Sequence, residues 1–399
     1  MIPTRADVEL AAVELADVAT RTPLVTSRWL SEYAGTQVLL KCENLQRTGS
    51  FKLRGAYVRI ARLTAEERER GVVAASAGNH AQGVALAAQQ LGTRAVVFMP
   101  EGVPIPKERA TRAHGAEVIT RGRLVDECLR HAEEYAEATG AVVIHPFDHP
   151  DVIAGQGTVG LEILEQLPET ATILVPAGGG GLLAGVAIAA KAVRPDVRVI
   201  GVQAEGAAAL AASMAAGRLV QLDDLHTMAD GIAVGRPGVV PFEVVSDLVD
   251  DVVTVSEESL SRALLSLVEH EKLVVEPAGA AGVAALLERP ESFSGPVVAV
   301  LSGGNIDPLL LGKVIRHGLA AAGRFLNLVV SLPDRPGALV GLLTEIAGAQ
   351  ANIRSIGHDR TSPALRLDEV EVRIEVETRS EAHAAALLAR LQARGYTVL

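Results

Sequence analysis

Between about residues 35 and 305, short unbroken apolar runs alternate with alanine-rich stretches, and this alternation leaves few folds open to the chain. The runs are Gln37–Lys41, Val72–Ala75, Arg94–Phe98, Ala141–Ile144, Thr172–Val175, Arg198–Val202 and Val297–Leu301. They are continuously apolar instead of alternating apolar with polar, so both faces of each strand must be covered. Strands separated by helices at this spacing form βαβ units, and the fold class expected is α/β with open, doubly wound parallel sheets. At 399 residues the chain exceeds one ordinary core, so two or three domains are expected.

Hydrophobic residues make up 49% and charged residues 21%, a balance that suits a well-packed globular protein and excludes disorder. Lys and Arg number 37 against 48 Asp and Glu, a net charge of -11. So acidic a surface disfavours nucleic acid and anionic membranes, and a phosphate group has to be held by local geometry. Only Cys42 and Cys128 occur, in no metal-binding spacing, and a reduced cytoplasmic protein is expected. Residues Met1 to Asp7 lack the apolar core of a signal peptide. The apolar stretch Leu182 to Val193 is interrupted by Gly185 and Lys191, too short a run to span a bilayer.

Three motifs begin where apolar runs end: Ser76-Ala77-Gly78-Asn79-His80, Gly178-Gly179-Gly180-Gly181 and Ser302-Gly303-Gly304-Asn305. Ligands of open α/β sheets gather at the carboxyl ends of strands, so the three are expected to meet in one cleft. The four glycines precede a helical stretch starting near Leu182. Their N–H groups and the helix N-terminus suit an anion. By itself a glycine run is also what a flexible turn looks like, and a Gly-Asn pair is common at turns and helix caps. A fourth motif, Thr48-Gly49-Ser50-Phe51-Lys52-Leu53-Arg54-Gly55, places a lysine after a tight turn and beside an aromatic wall. Desolvation there lowers the pKa of an amine and frees the neutral form that Schiff-base chemistry needs.

Together the four motifs resemble the pyridoxal phosphate (PLP) enzymes of fold type II, and within them the threonine/serine ammonia-lyases, over essentially the whole chain. The resemblance implies two lobes, the smaller spanning roughly residues 50 to 155. It implies that Lys52 carries PLP as a Schiff base and then serves as the base for the α-proton. Phe51 and Gly178 to Gly181 would contact the cofactor, and Asn79 would donate to its phenolic oxygen. Ser302 would face the pyridine nitrogen, where a hydroxyl, unlike a carboxylate, leaves a weaker electron sink that suits elimination. Backbone N–H groups of Ser76 to His80 would bind the substrate carboxylate, with His80 itself structural. Glu276, in Val275-Glu276-Pro277-Ala278-Gly279, resembles a cleft-lining segment and has no assigned role. Related synthases typically carry Lys-Asp-Arg where this chain has Lys52-Leu53-Arg54. Serine racemases have a serine where this chain has Ala77, which cannot move a proton. Gln203 and Ala209 stand where those enzymes bind a divalent ion through carboxylates, so no metal is expected there.

The activity implied is deamination of L-threonine to 2-oxobutanoate and ammonia, and of L-serine to pyruvate, with the cofactor phosphate as the implied proton donor to the leaving hydroxyl. Alternatives are another PLP lyase acting on L-serine or a hydroxyaspartate, and an idle amino-acid sensor.

Composition changes near residue 323, giving expected domains at 1–322 and 323–399. The second reads as strand Asn327–Leu332, a turn at Pro333-Asp334-Arg335-Pro336-Gly337, helix Ala338–Ala349, strands near Ile353–His358 and Val370–Val376, helix Ser380–Gly395 and a terminal strand Tyr396–Leu399. This βαββαβ order resembles an ACT domain. The resemblance implies pairing into a homodimer or homotetramer, and an amino-acid effector, isoleucine or valine, near Asp334, Arg335, Gly337, Leu339, Asn352 and Ile353.

Overall fold

Two parallel sheets and one antiparallel sheet organise the computed structural model, which describes all residues except 124, 322, 361–365, 367 and 399. The strands are β1 (Leu24–Thr26), β2 (Val38–Lys41), β3 (Val72–Ala75), β4 (Ala95–Met99), β5 (Glu117–Thr120), β6 (Val142–Val143), β7 (Thr172–Pro176), β8 (Arg198–Ala204), β9 (Asp251–Val255) and β10 (Val297–Val300). They are followed by β11 (Phe325–Pro333), β12 (Asn352–Asp359), β13 (Glu369–Glu377) and β14 (Thr397–Val398).

The six-stranded sheet has the order β1-β2-β10-β7-β8-β9, parallel except for β1 on β2. The smaller sheet, β5-β4-β3-β6, is wholly parallel. Every residue of β2, β3, β4, β7 and β10 is buried, as unbroken apolar strands require. Each sheet has a point where the strand order reverses: between β7 and β10 in the larger, between β3 and β6 in the smaller. Crevices at such points are where α/β sheets hold ligands. The loops after β3, β7 and β10 carry the three strand-end motifs.

Three strands were not among the apolar runs, and all three are sheet edges. Strands β1, β5 and β9 are partly exposed, and β5 and β9 open on exposed Glu117 and Asp251. An edge needs no apolar residue on its open side, so the search for continuous apolar runs passes over it.

Close helix packing fixes the glycine cradle after β7. Helices Pro150–Gln166 and Gly181–Val193 meet backbone to backbone, where a Cβ on Gly157 would lie 2.8 Å from the Gly185 carbonyl and one on Gly185 would strike Ile153 O. Ile153, Val159, Ile163, Leu183 and Val186 seal this contact in the larger core.

By contact the chain divides into Met1–Pro308 and Leu309–Leu399. The division falls at the first residue of the helix Pro308–Ala321, ahead of the composition change near residue 323. Composition registers the change only where strand periodicity resumes at β11, because the helix reads like those before it. In the second unit the antiparallel order is β12-β13-β11-β14 in a βαββαβ chain path. Leu328, Val330 and Leu332 alternate on one face, with Val372, Ile374 and Val376 beside them, under Leu342, Ile346, Leu387 and Leu391 of two helices. Leu399, the last residue of the expected terminal strand, lies outside the described residues.

Candidate functional site

A cleft of about 940 Å³ is lined by Phe51, Lys52, Ser76, Ala77, Gly78, Asn79, His80, Gly178, Gly179, Gly180, Gly181, Glu276 and Ser302. Five segments far apart in sequence thus share one cavity. Pairing joins two of them directly: Ser50 bridges to Gly303, and Phe51 N–H donates to Ser302 O at 3.1 Å.

Lys52 is the first residue of helix Lys52–Ala61. Its Nζ donates to Pro146 O at 3.1 Å and stands 5.1 Å from the centre of the Phe51 ring. Burial pushes the amine down to about 8, against the opposing pull of Glu276. About a tenth of it is therefore neutral at pH 7, ready to attack a carbonyl.

Gly180, with φ of 94°, turns the chain from β7 into helix Gly181–Val193. A Cβ on Gly179 would lie 2.5 Å from the Phe147 ring, and one on Gly181 2.9 Å from Phe147 Cβ, so only glycine leaves the chain in place. The N–H groups of Gly178, Gly179 and Gly180 have no hydrogen-bond partner among the described residues. Unpaired donors at a helix N-terminus suit a phosphate.

Asn79 opens helix Asn79–Gln90, and Gly78 N–H donates to Ser76 Oγ at 3.1 Å. His80 is buried and its Nε2 donates to Ile144 O at 2.7 Å. Burial, aided by the Lys52 charge, pushes its pKa down to about 3. It is a neutral structural imidazole at physiological pH.

Glu276 is buried, and one carboxylate oxygen accepts from Asn79 Nδ2 at 2.6 Å. Burial and then the Asp230 charge push it up to about 7. Ser302 is buried and lines the cleft.

Of the further segments that line the cleft and that the motifs did not reveal, two make contacts that bear on the chemistry. One is His145-Pro146-Phe147-Asp148, directly after the run Ala141–Ile144, so the strand-end rule would have found it. His145 Nδ1 accepts from Asp148 N at 2.8 Å, and its ring meets Phe147 edge-on at 4.6 Å. Burial, opposed by Asp148, holds this imidazole down to about 4. Asp148 in turn accepts from the N–H groups of Val239 and Val240, at the start of helix Val239–Leu248. The other segment is Asp230 to Gly238, where Gly231, Gly235, Pro237 and Gly238 mark a loop. Asp230 reaches across to Lys107, whose Nζ is 2.7 Å from its carboxylate. Lys107 belongs to the smaller-sheet lobe and Asp230 follows the larger sheet, so the pair spans the cleft.

Gln203 is buried, with its amide donating to Ala207 O at 3.3 Å and its carbonyl accepting from Ala211 N at 2.9 Å. A side-chain amide thus ties the loop after β8. Among the described residues no cluster of three or more His, Cys, Asp or Glu side chains suits a metal.

The six residues considered for an effector lie in the second unit and are not brought together. Asp334, Arg335, Gly337 and Leu339 sit at the junction of β11 with helix Ala338–Gly348. Asp334 pairs with Arg360 at 3.0 Å, Gly337 has φ of 90°, and Leu339 packs on the core. Asn352 lies opposite Glu377, which lies opposite Phe325, so Asn352 and Ile353 are at the other end of the sheet from Pro333.

An anion cradle beside an amine of lowered pKa is the pairing that a phosphorylated aldehyde requires, so cleft and fold define a cofactor-dependent α/β enzyme. The family described as pyridoxal-phosphate dependent enzyme matches residues 15–303, and the chain belongs to it; PLP is its cofactor. The chain is 51% identical over 379 residues to the L-threonine ammonia-lyase of Geobacter sulfurreducens, covering 95% of this chain and 94% of that one. With the L-threonine ammonia-lyase of Thermotoga maritima it shares 47% over 395 residues, covering 99% and 98%. Among solved structures, a T.th. threonine deaminase superposes with a TM-score of 0.73 at 45% identity, over 76% of this chain and 99% of that one. Maize serine racemase does so with 0.76 at 37% identity, over 80% and 99%.

Proposed function

We propose that this chain deaminates L-threonine to 2-oxobutanoate and ammonia, and L-serine to pyruvate and ammonia. The observation that carries the reading is the convergence of Lys52, the glycine cradle and the Ser76–His80 loop on one cleft, in a chain that is similar along its length to L-threonine ammonia-lyases. When bound, PLP supplies an electron sink conjugated to the substrate α-carbon.

The protein's own residues do the rest. Lys52 Nζ would hold the cofactor and could serve as the base for the α-proton of a bound substrate; its lowered pKa keeps a usable neutral fraction near neutral pH. The N–H groups of Gly178, Gly179 and Gly180 would hold the phosphate, and those around Ser76 to His80 the substrate carboxylate. Asn79 would donate to the phenolic oxygen. Ser302 would offer the ring nitrogen a hydroxyl, which cannot protonate it. Phe51 and Phe147 exclude water. After the β-hydroxyl leaves, the released enamine becomes an imine, and water hydrolyses it to the keto acid and ammonia. Atoms balance: the water lost from threonine is regained in that hydrolysis. Ala77 offers no proton to the opposite face, which favours elimination over racemisation.

The C-terminal unit we read as an ACT-like module that pairs two or four chains. An effector touching both Asp334 to Leu339 and Asn352 to Ile353 would have to bridge two copies, because one chain holds these segments at opposite ends of its sheet. The test is release of 2-oxobutanoate from L-threonine by the PLP-loaded protein, with Lys52→Ala alongside. Release that disappears in the variant is expected; no release from the parent protein refutes the reading.

A further inference from the structure

We propose that Asn305, with Glu276, sets which end of the Asn79 amide faces the cofactor, so that Asn79 presents only a donor. The proposal rests on the reading of Asn79 as a cofactor contact.

The backbone carbonyl of Thr48 can only accept, and this fixes the amides that follow from it. Asn305 Nδ2 lies 2.7 Å from Thr48 O and 2.7 Å from Asn79 Oδ1. A carboxamide nitrogen has two N–H groups, and both are spent here. The Asn79 atom facing Asn305 is therefore its oxygen. Its nitrogen must occupy the other branch, where it lies 2.6 Å from Glu276 Oε1. One Asn79 N–H goes to Glu276. The second has no partner among the described residues and belongs to a side chain that lines the cleft. Reversing the Asn79 amide would set its nitrogen against the N–H of Asn305 and, whenever Glu276 is ionised, its oxygen against a carboxylate oxygen. The orientation is thus fixed from both sides, and what remains for a ligand is a single donor suited to an oxygen carrying negative charge.

Two glycines let this relay pass. A Cβ on Gly303 would strike Glu276 Oε1 and lie 3.1 Å from Asn79 Nδ2. A Cβ on Gly49, whose φ is 71°, would strike Asn305 Oδ1. The Thr-Gly-Ser turn, the Gly-Asn-His loop, Glu276 and the Ser-Gly-Gly-Asn segment are therefore parts of one device. Asn305 is outside the cleft lining and acts through Asn79, as a positioning residue.

The test uses the PLP-loaded full chain and reads the absorption spectrum of the bound cofactor, the pH at which that spectrum changes, and the cofactor dissociation constant. In Asn305→Asp the carboxylate cannot donate to Thr48 O or to Asn79, so the Asn79 amide must turn. Its spectrum should shift in the same sense as that of Asn79→Ala, with cofactor binding weakened about tenfold, the scale of one lost hydrogen bond to a charged group. Asn305→Ser keeps one donor, should fold if the aspartate does not, and should give an intermediate shift. In the double variant Asn79→Ala/Asn305→Ser, the serine should add nothing to the alanine. If Asn79→Ala moves the spectrum while folded Asn305→Asp or Asn305→Ser leaves it unchanged, or if the two effects add, the relay is refuted. If Asn79→Ala itself leaves spectrum and affinity unchanged, the cofactor contact fails and takes the relay with it.

Discussion

Replacing Arg54 by methionine should destabilise the Met1–Pro308 unit severely, and the reason lies in what the change leaves behind. Arg54 is 1% exposed. Its guanidinium donates to Glu43 at 2.8 and 2.9 Å, to Glu162 at 2.7 and 3.1 Å, to Thr158 Oγ1 at 3.0 Å and to Thr20 O at 3.3 Å. Glu162 is partly exposed and keeps Lys41 at 2.5 Å, so it survives the loss. Glu43 is fully buried and, among the described residues, its carboxylate keeps the Thr22 hydroxyl, at 2.6 Å, and the nearby charge of Lys41. An intact buried pair adds little net stability, but stranding one member costs about 3–5 kcal/mol. For a unit of this size that lowers the melting temperature by about 5–8 °C.

The pH dependence supplies a second reading of the same variant. In the parent, burial raises the Glu43 pKa, but the charge and hydrogen bonds of Arg54, then Thr22, outweigh it and hold the net value below the ordinary one. A depressed carboxyl gives stability that is present above the unfolded pKa and lost as pH falls through the folded one. Without Arg54, burial wins, and the raised carboxyl gives a penalty relieved by acid. The gap in melting temperature between parent and Arg54→Met should therefore narrow as pH falls from about 8 to about 5. Glu43→Gln/Arg54→Met should lose less than Arg54→Met alone. The assay is thermal melting followed by far-ultraviolet circular dichroism across that range. A loss under about 2 °C, or a gap that widens toward acid, would refute the stranded-charge argument.

Three further outcomes are expected. In the cofactor-free protein, reaction of Lys52 with a small aldehyde should rise with pH through a midpoint near 8, because the neutral amine reacts and burial lowers its pKa; a midpoint above 10, or equal labelling of Lys52→Ala, would contradict this. Gly179→Ala should weaken PLP binding at least about tenfold, since a Cβ 2.5 Å from the Phe147 ring forces the cradle to move; equilibrium dialysis with affinity unchanged would show that the cradle tolerates a side chain. Lys107→Ala should raise the KM for L-threonine severalfold while melting shifts by under about 0.5 kcal/mol, because the Asp230 side chain is 61% exposed and the pair is worth little except in joining the two lobes. A large loss of stability with KM intact would make the pair a structural staple instead.

How far the fold was legible depended on whether a strand has two covered faces. Thr172–Val175 and Val297–Leu301 declared themselves because nothing polar is tolerated on either side of a central parallel strand. Strands β1, β5 and β9 stayed silent because an edge is free to carry Glu117 or Asp251. The contact division and the composition change fall at different places for a related reason: helix Pro308–Ala321 reads like the helices before it, and which unit it joins is a tertiary matter.

The site separates along the same physical line. Groups that need unusual backbone, such as Gly178 to Gly181 and the turn before Lys52, leave a mark in sequence because few residues can replace them. Groups that need only ordinary side chains held by distant partners leave none. Lys107 and Asp230 meet from positions far apart in the chain, and neither stands in a motif. Phe147 lies just past the run Ala141–Ile144, so its place at the cleft could be read, but its role as the ring that forbids a Cβ at Gly179 could not. Asn305 lies between these cases: its motif is plain, yet its task emerges only when Thr48 O is seen to accept, which fixes one amide and, through it, the next. Spacing can place Asn79 beside a ligand, but whether it offers nitrogen or oxygen is decided by a carbonyl at residue 48 and a carboxylate at residue 276, and that information exists only in the folded chain.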